Sequence, residues 1–184
     1  MMSRDEIVTE VHKHLENKNL RKHILAVEAV MRKLAEHFGQ DGDRWGAAGL
    51  LHDVDYEQTK DDWTKHSQLS ADMVEELGFD KEIVDAVRTH NEMHHLPRET
   101  MMAKSLYCAD PLTGLIVAAA LVSPDKKISA IDGDFVMKRF GEKAFARGAN
   151  RDTIRSCAEI GMELKDFIDL GVKAMQGISK ELGL

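Results

Sequence analysis

Apolar residues recur along this chain at intervals of three, four and seven, and no segment shows convincing period-two alternation. That pattern predicts an all-α fold. Ser3-Arg4-Asp5-Glu6 reads as a capping box opening a first helix to about Leu15. Asn19 can cap a second, which runs to Phe38 and stops at Gly39. A third covers about Asp43 to Asp53, and a fourth about Lys65 to Leu77, ending at Gly78. Asp80 caps a fifth that ends near His90, followed by a loop from Asn91 to Pro97. The sixth runs from about Arg98 to Ala109, where Pro111 predicts a break or kink after Asp110. Leu112 to Leu121 then forms a short, almost wholly apolar helix closed by Pro124. Further helices are expected near Asp134–Phe140, Arg151–Gly161 and Glu163–Leu182.

With 184 residues, the chain is long enough for one well-packed domain and short for two. No repeat, low-complexity tract or linker separates a second unit, so a single helical bundle over residues 1–184 is expected. Hydrophobic content of 43% and charged content of 31% describe a soluble globular chain. The formal charge of −7 argues against broad binding of duplex nucleic acid, which needs a basic face. A small phosphorylated ligand stays compatible, because a bound metal inverts the local field. Cys108 and Cys157 form no CxxC pair and suggest no disulfide framework, which points to a reducing cytoplasm. The charged N-terminus has no apolar signal core. The longest apolar stretch, Leu112 to Val122, has 11 residues against the roughly 20 of a spanning helix, so no membrane span is expected.

The polar residues that interrupt the apolar stripes carry the chemistry. His23 shares a stripe with Val27, Val30 and Leu34; His52 continues Trp45, Ala48 and Gly49. His66 lines up with Leu69, Met73 and Leu77, His90 with Ile83 and Val87, and Asp110 with Ala103 and Leu106. Each therefore points toward the apolar side of its helix. A buried imidazole or carboxylate without a partner costs several kcal/mol or shifts its pKa until neutral. A shared metal would satisfy all five, and His with Asp suits Mn, Fe, Zn or Ni. Asp53, one residue past His52, points about 100° away on an ideal helix, so both reach one cavity only if the helix unwinds there. Stripe membership does not by itself select ligands: His37 also fits the stripe of His23, and His12 and His14 lie partly on the apolar side of the first helix.

The ordered combination does. His23, the pair His52-Asp53 within Ala48-Gly49-Leu50-Leu51-His52-Asp53, and Asp110 in Cys108-Ala109-Asp110 resemble the motif of the HD-domain superfamily of metal-dependent phosphohydrolases. The resemblance covers about Leu20 to Leu115, and residues from about 123 to 184 look like the helical extension of small HD hydrolases. It implies a metal-binding core over about residues 20–115, with His23, His52, Asp53 and Asp110 holding one divalent ion. His66 and His90, with Asp53 bridging, would hold a second, as in the family's dinuclear members. The consecutive histidines common at the fifth ligand of those members fall here at His94-His95, after His90-Asn91. The signature of the HD-GYP phosphodiesterases is missing.

What the resemblance implies is a phosphomonoesterase or phosphodiesterase using a metal-activated water on a nucleotide or other small phosphate ester. Asp53 serves the metal chemistry, and Asp55 or Glu57 offers a carboxylate to accept a proton or orient the water, unless it is merely solvated. Lys65 would contact phosphate beside His66. Lys138, Arg139, Lys143, Arg147 and Arg151 form the most basic segment, and Arg147 and Arg151, bracketing a Gly-containing turn, could receive a phosphate. The alternatives are a di-iron oxygenase on the same scaffold and a non-catalytic regulatory domain. Cys108 reads as a small apolar residue, and Met93, Met101, Met102, Met162 and Met175 as adaptable core.

Overall fold

A computed structural model describes residues 2–142 and 144–184; Lys143, within the basic segment, lies outside the described residues. Among the described residues the secondary structure is all helical, with no strand. The α-helices are α1 (Arg4–His14), α2 (Lys18–Phe38), α3 (Gly42–Leu51), α4 (Tyr56–Thr59), α5 (Gln68–Glu76) and α6 (Lys81–Thr89). They are followed by α7 (Met101–Val122), α8 (Gly133–Phe140), α9 (Arg151–Arg155), α10 (Leu164–Gln176) and α11 (Ser179–Leu182). Short 3-10 turns occupy Glu92–His94, Ile128–Ala130 and Ser156–Ile160.

Local chemistry accounts for most boundaries. The Ser3 side chain accepts from the Glu6 N–H while Glu6 reaches back, completing the capping box of α1. Asn17, not Asn19, caps α2: its side-chain oxygen accepts from the Asn19 N–H, the geometry a cap requires two residues upstream. Gly39 takes φ 64° and ends α2 in the left-handed conformation that glycine enters without steric penalty. Asp80 caps α6 through the Glu82 and Ile83 N–H groups.

Three sequence expectations are corrected. Pro111 does not break the chain into two helices; α7 runs through it for 22 residues. Proline has a helical φ; its cost is the lost bond to the Tyr107 carbonyl together with the pressure of its ring on that carbonyl. Leu106, Ala109, Leu112, Leu115 and Ile116, buried on both sides of it, hold the helix against α2, α6 and α10. That continuity also makes α7 long and apolar enough to cross a membrane, at mean hydropathy 1.6 over an 18-residue window, although 56% of the window is buried inside the protein. The segment expected as one helix over Glu163–Leu182 divides into α10 and α11. Met102, Met162 and Met175 are core, but Met93 and Met101 are exposed.

Helix α7 is the axis on which α2, α6, α8, α9 and α10 pack, so the residues beyond 123 share its core. The tightest pairing is α2 on α3. A Cβ at Gly49 would lie 2.8 Å from the Glu28 Cα and nitrogen, so only glycine lets the two backbones approach this closely. Beside it the buried Glu28 carboxylate accepts from Arg4 (Nε 2.6 Å, Nη2 2.8 Å) and from Arg32 Nε (2.8 Å), tying α1 to α2. Gly49→Ala is expected to lower stability by about 1–3 kcal/mol, the range for overpacking a filled core. Gly114→Ala on the exposed face of α7, where a Cβ meets nothing within 4 Å, should instead raise it by up to about 1 kcal/mol. Urea denaturation of the two variants measures both, and equal effects would contradict the packing argument.

Candidate metal centre

The cluster is assembled from helix ends. Helix α3 ends at Leu51 and residues His52 to Asp55 continue as turn. His52 keeps helical backbone angles (φ −58°, ψ −36°), while the Val54 N–H bonds back only three residues, to Leu51, and the side chains of His52 and Asp53 meet in one cluster. Four-residue periodicity also leaves the last carbonyls of a helix without N–H partners. His52 Nδ1 donates to the Gly49 carbonyl (2.8 Å), and His90, at the end of α6, donates to the Val87 carbonyl (2.7 Å). Each imidazole thus satisfies a carbonyl three residues back and is left with Nε2 facing outward from the helix end.

The other two histidines are oriented by side chains. His23 Nδ1 donates to the Thr113 hydroxyl (3.2 Å), which itself donates to the Asp110 carbonyl (2.8 Å). His66 Nδ1 donates to Asp55 Oδ1 (2.8 Å). His66 is not on a helix, as the stripe predicted, but in the turn before α5. The reason is Asp55, whose second oxygen accepts the Ser67 and Ser70 N–H groups (2.9 Å each) and so anchors the start of α5 from another segment. Ser67 is held there at φ 71°, a conformation costing roughly 1 kcal/mol or more that persists only under such constraint.

All four Nε2 atoms converge on Asp53. Its Oδ2 lies 3.6 Å from His23 Nε2 and 3.4 Å from His52 Nε2; its Oδ1 lies 3.5 Å from His66 Nε2 and 3.4 Å from His90 Nε2. Asp110 Oδ1 joins the first group, 3.0 Å from His23 Nε2 and 3.9 Å from His52 Nε2. Donor atoms of His23, His52 and Asp110, and again of His52, Asp53 and His90, lie within 4.8 Å of one another. His52 Nε2 is buried with no hydrogen-bond partner. Leaving such an atom unsatisfied costs about 1–3 kcal/mol, so it fits a ligand role better than a core role. Imidazole and carboxylate together suit a divalent transition metal.

Electrostatics points the same way. Burial opposes charge on His52, but Asp53 and Asp110 outweigh it and push its pKa up to about 9. Burial likewise raises Asp53, yet the surrounding imidazoles hold it well below the usual carboxylate range. Asp110 is also held low: burial pushes it up, and the hydrogen bond and charge of His23 prevail. The cluster therefore draws positive charge to its centre.

It forms one wall of a cleft of about 420 Å³ that also exposes Tyr56, Trp63, Glu92, Tyr107, Asn150 and Thr153. None of those six was singled out by the sequence: aromatics and neutral polar residues carry no metal-ligand spacing. Several expected site residues lie elsewhere. Asp55 is fully buried and braces His66 instead of facing substrate or solvent. Glu57 accepts the Glu16 and Asn17 N–H groups and holds the α1–α2 link. Lys65 is exposed and paired with Asp62 at 3.1 Å, outside the cleft lining. The Arg151 guanidinium donates to the carbonyls of Phe140, Phe145, Ala146 and Ala149, which occupies it as a loop clamp. Arg147 is exposed, and its neighbours Gly148 and Asn150 line the cleft in its place. Burial pushes the Cys108 thiol pKa up, in keeping with its apolar reading.

Asp55→Asn tests the bracing role. A neutral amide presents a donor where His66 Nδ1–H or the α5 amides need an acceptor. Metal affinity on the His66 and His90 side should fall roughly 10–100-fold, with the His23, His52 and Asp110 side close to the parent protein. Calorimetric titration with Mn or Zn resolves this, and an equal loss on both sides would contradict it.

A family model described as HD domain matches residues 20–120. Over 139 residues the chain is 27% identical to Ribonuclease Y of Oleidesulfovibrio alaskensis, a match covering 74% of this chain and 26% of that protein. It is 30% identical over 98 residues to Ribonuclease Y of Nitratidesulfovibrio vulgaris, covering 53% and 18%, and 26% identical over 137 residues to that of a Sulfurovum species, covering 73% and 26%. The chain thus spans about a quarter of these relatives' length or less. Since the family match runs over more than half of the chain and encloses every residue of the imidazole–carboxylate cluster, this protein belongs to the HD domain family.

Proposed function

We propose that this chain is a metal-dependent phosphohydrolase that cleaves a nucleotide or another small phosphate ester. The observation that carries the reading is the convergence of four imidazole Nε2 atoms on both oxygens of one buried carboxylate, with His52 Nε2 left without any other partner. Among the described residues that line the cleft there is no lysine or arginine. A phosphate entering it would meet Asp53, Asp110 and Glu92, so the attraction has to come from cations held by the cluster.

His23, His52, Asp53 and Asp110 would hold one divalent ion (Mn, Fe, Zn or Ni), and His66, His90 and the other oxygen of Asp53 a second. Such an ion supplies Lewis acidity, neutralises phosphoryl charge and lowers the pKa of water to about 7 in the zinc case. The protein's own part is orientation. Thr113, Gly49, Asp55 and Val87 accept from the four Nδ1–H groups and so aim each Nε2 at the cluster. Burial, reinforced by Asp53 and Asp110, raises the Tyr56 pKa, so this cleft residue stays a phenol able to donate to a phosphate oxygen. The name of the relatives, Ribonuclease Y, makes phosphodiesters of ribonucleotides the first substrate class to assay.

Metal analysis of anaerobically purified protein, followed by a phosphate-ester panel with and without oxygen, tests the proposal. Metal-dependent ester cleavage indifferent to oxygen is expected, read as free phosphate from monoesters and as a phosphomonoester product from diesters. Asp53→Ala should strip metal from both sides and reduce turnover by more than about 100-fold, whereas Asp110→Ala should deplete only the His23 and His52 side. If Asp53→Ala retains the parent's metal content, the ligand assignment is wrong. Oxygen uptake with an iron pair and no ester cleavage would replace hydrolysis by oxygenation.

A further inference from the structure

Large aromatic side chains are ordinarily covered. Trp45 obeys this at 2% exposure, whereas Trp63 is 40% exposed and lines the cleft beside the imidazole cluster. It is held in a defined orientation. Its ring plane stands nearly perpendicular to those of Tyr56 (centroids 5.2 Å, planes 81° apart) and His66 (5.1 Å, 89°), and the 40% exposure of the residue is the surface it offers to the cleft. The loop beneath it is hydrogen-bonded throughout: Asp62 N to the Thr59 carbonyl at 2.8 Å, Lys65 N to the Asp62 carbonyl at 3.1 Å, and His66 N to the Trp63 carbonyl at 3.3 Å. The Thr64 N–H adds a bond to Asp62 Oδ1 at 3.2 Å. An indole fixed in this way loses little conformational freedom on binding.

Elsewhere in the cleft is a polar wall. Tyr107 Oη (3.2 Å), Asn150 Nδ2 (3.3 Å) and Thr153 Oγ1 (3.5 Å) converge on Glu92 Oε2; the Arg98 guanidinium lies 3.7 Å over the Tyr107 ring but does not line the cleft. Away from the metal cluster, recognition in this cleft therefore rests on stacking and on hydrogen bonds to a carboxylate and neutral groups. A molecule that carries a phosphate, hydroxyls and a flat aromatic group offers one partner to each of these three surfaces of the cleft.

We propose that Trp63 is the stacking platform for the nucleobase of a nucleotide whose phosphate lies at the His/Asp cluster. This deepens the phosphohydrolase reading and rests on it for the placement of the phosphate. Stacking tolerates any base, since every base has a π-face, so the platform selects nucleotides as a class and not one base.

The 184-residue chain, loaded with metal, gives two readouts. Trp63 fluorescence, seen over the constant background of buried Trp45, should be quenched by AMP and by adenosine but not by ribose 5-phosphate. By calorimetry, Trp63→Ala should lower the ratio of AMP affinity to ribose 5-phosphate affinity about ten-fold or more, and Trp63→Phe should restore most of it. An unchanged ratio overturns the platform. So does an equal loss for both ligands with reduced metal content, which would mean that Trp63 only braces His66. Adenosine quenching in a protein that cleaves neither phosphomonoesters nor phosphodiesters would sink the hydrolase reading and leave the platform standing. Hydrolysis with no preference for base-bearing esters would do the reverse.

Discussion

Both oxygens of the Asp53 carboxylate face imidazole nitrogens, two on each side, and this pairing sets what the rest of the fold has to accomplish. Charges removed from water cost several kcal/mol each unless compensated. A buried carboxylate, a partly open one and four imidazoles can share one cleft floor only if their donors and acceptors are fixed and positive charge is drawn between them. The helices deliver that arrangement by their ends. His52 and His90 cap α3 and α6 with their own Nδ1–H groups, so the same contact that finishes a helix aims a ligand.

Packing supports the chemistry at one remove. Gly49 allows α3 to seat on α2 with backbones in contact, and its carbonyl is the acceptor that orients His52. Asp55 starts α5, holds Ser67 in a strained conformation and fixes His66. Arg151 clamps the loop whose Gly148 and Asn150 line the cleft. Residues that a sequence reading assigns to substrate are therefore supports for the groups that face it. A charged side chain is as useful for satisfying buried backbone as for meeting a phosphate, and sequence spacing does not distinguish the two uses.

Part of this was legible in the chain alone. The three-and-four periodicity and the caps at Ser3, Asp80 and Gly39 follow from forces acting within a few residues, and each lies where the sequence pattern predicts it. The ordered set His23, His52-Asp53, His66, His90 and Asp110 was visible because its order resembles a family motif, and because five of its members fall on inward-facing positions where imidazoles and carboxylates are costly to bury without a shared partner. The family match over residues 20–120 agrees with the resemblance drawn from that set. Local pattern failed at Pro111, where burial along the whole of α7 outweighs one missing hydrogen bond, and at His66, which a distant carboxylate pulls out of the helix.

The chain by itself determined the helical class and many helix ends, which depend on backbone capping and side-chain period, and it carried the converging imidazoles and carboxylates in an order that resembles a family motif. Tertiary structure decided which ring nitrogen faces the cluster, that Asp55 and Arg151 are braces, and that Trp63, Glu92, Asn150 and Thr153 share its cleft. Those outcomes turn on contacts between residues up to 90 positions apart, as between Thr113 and His23, and no local preference encodes them.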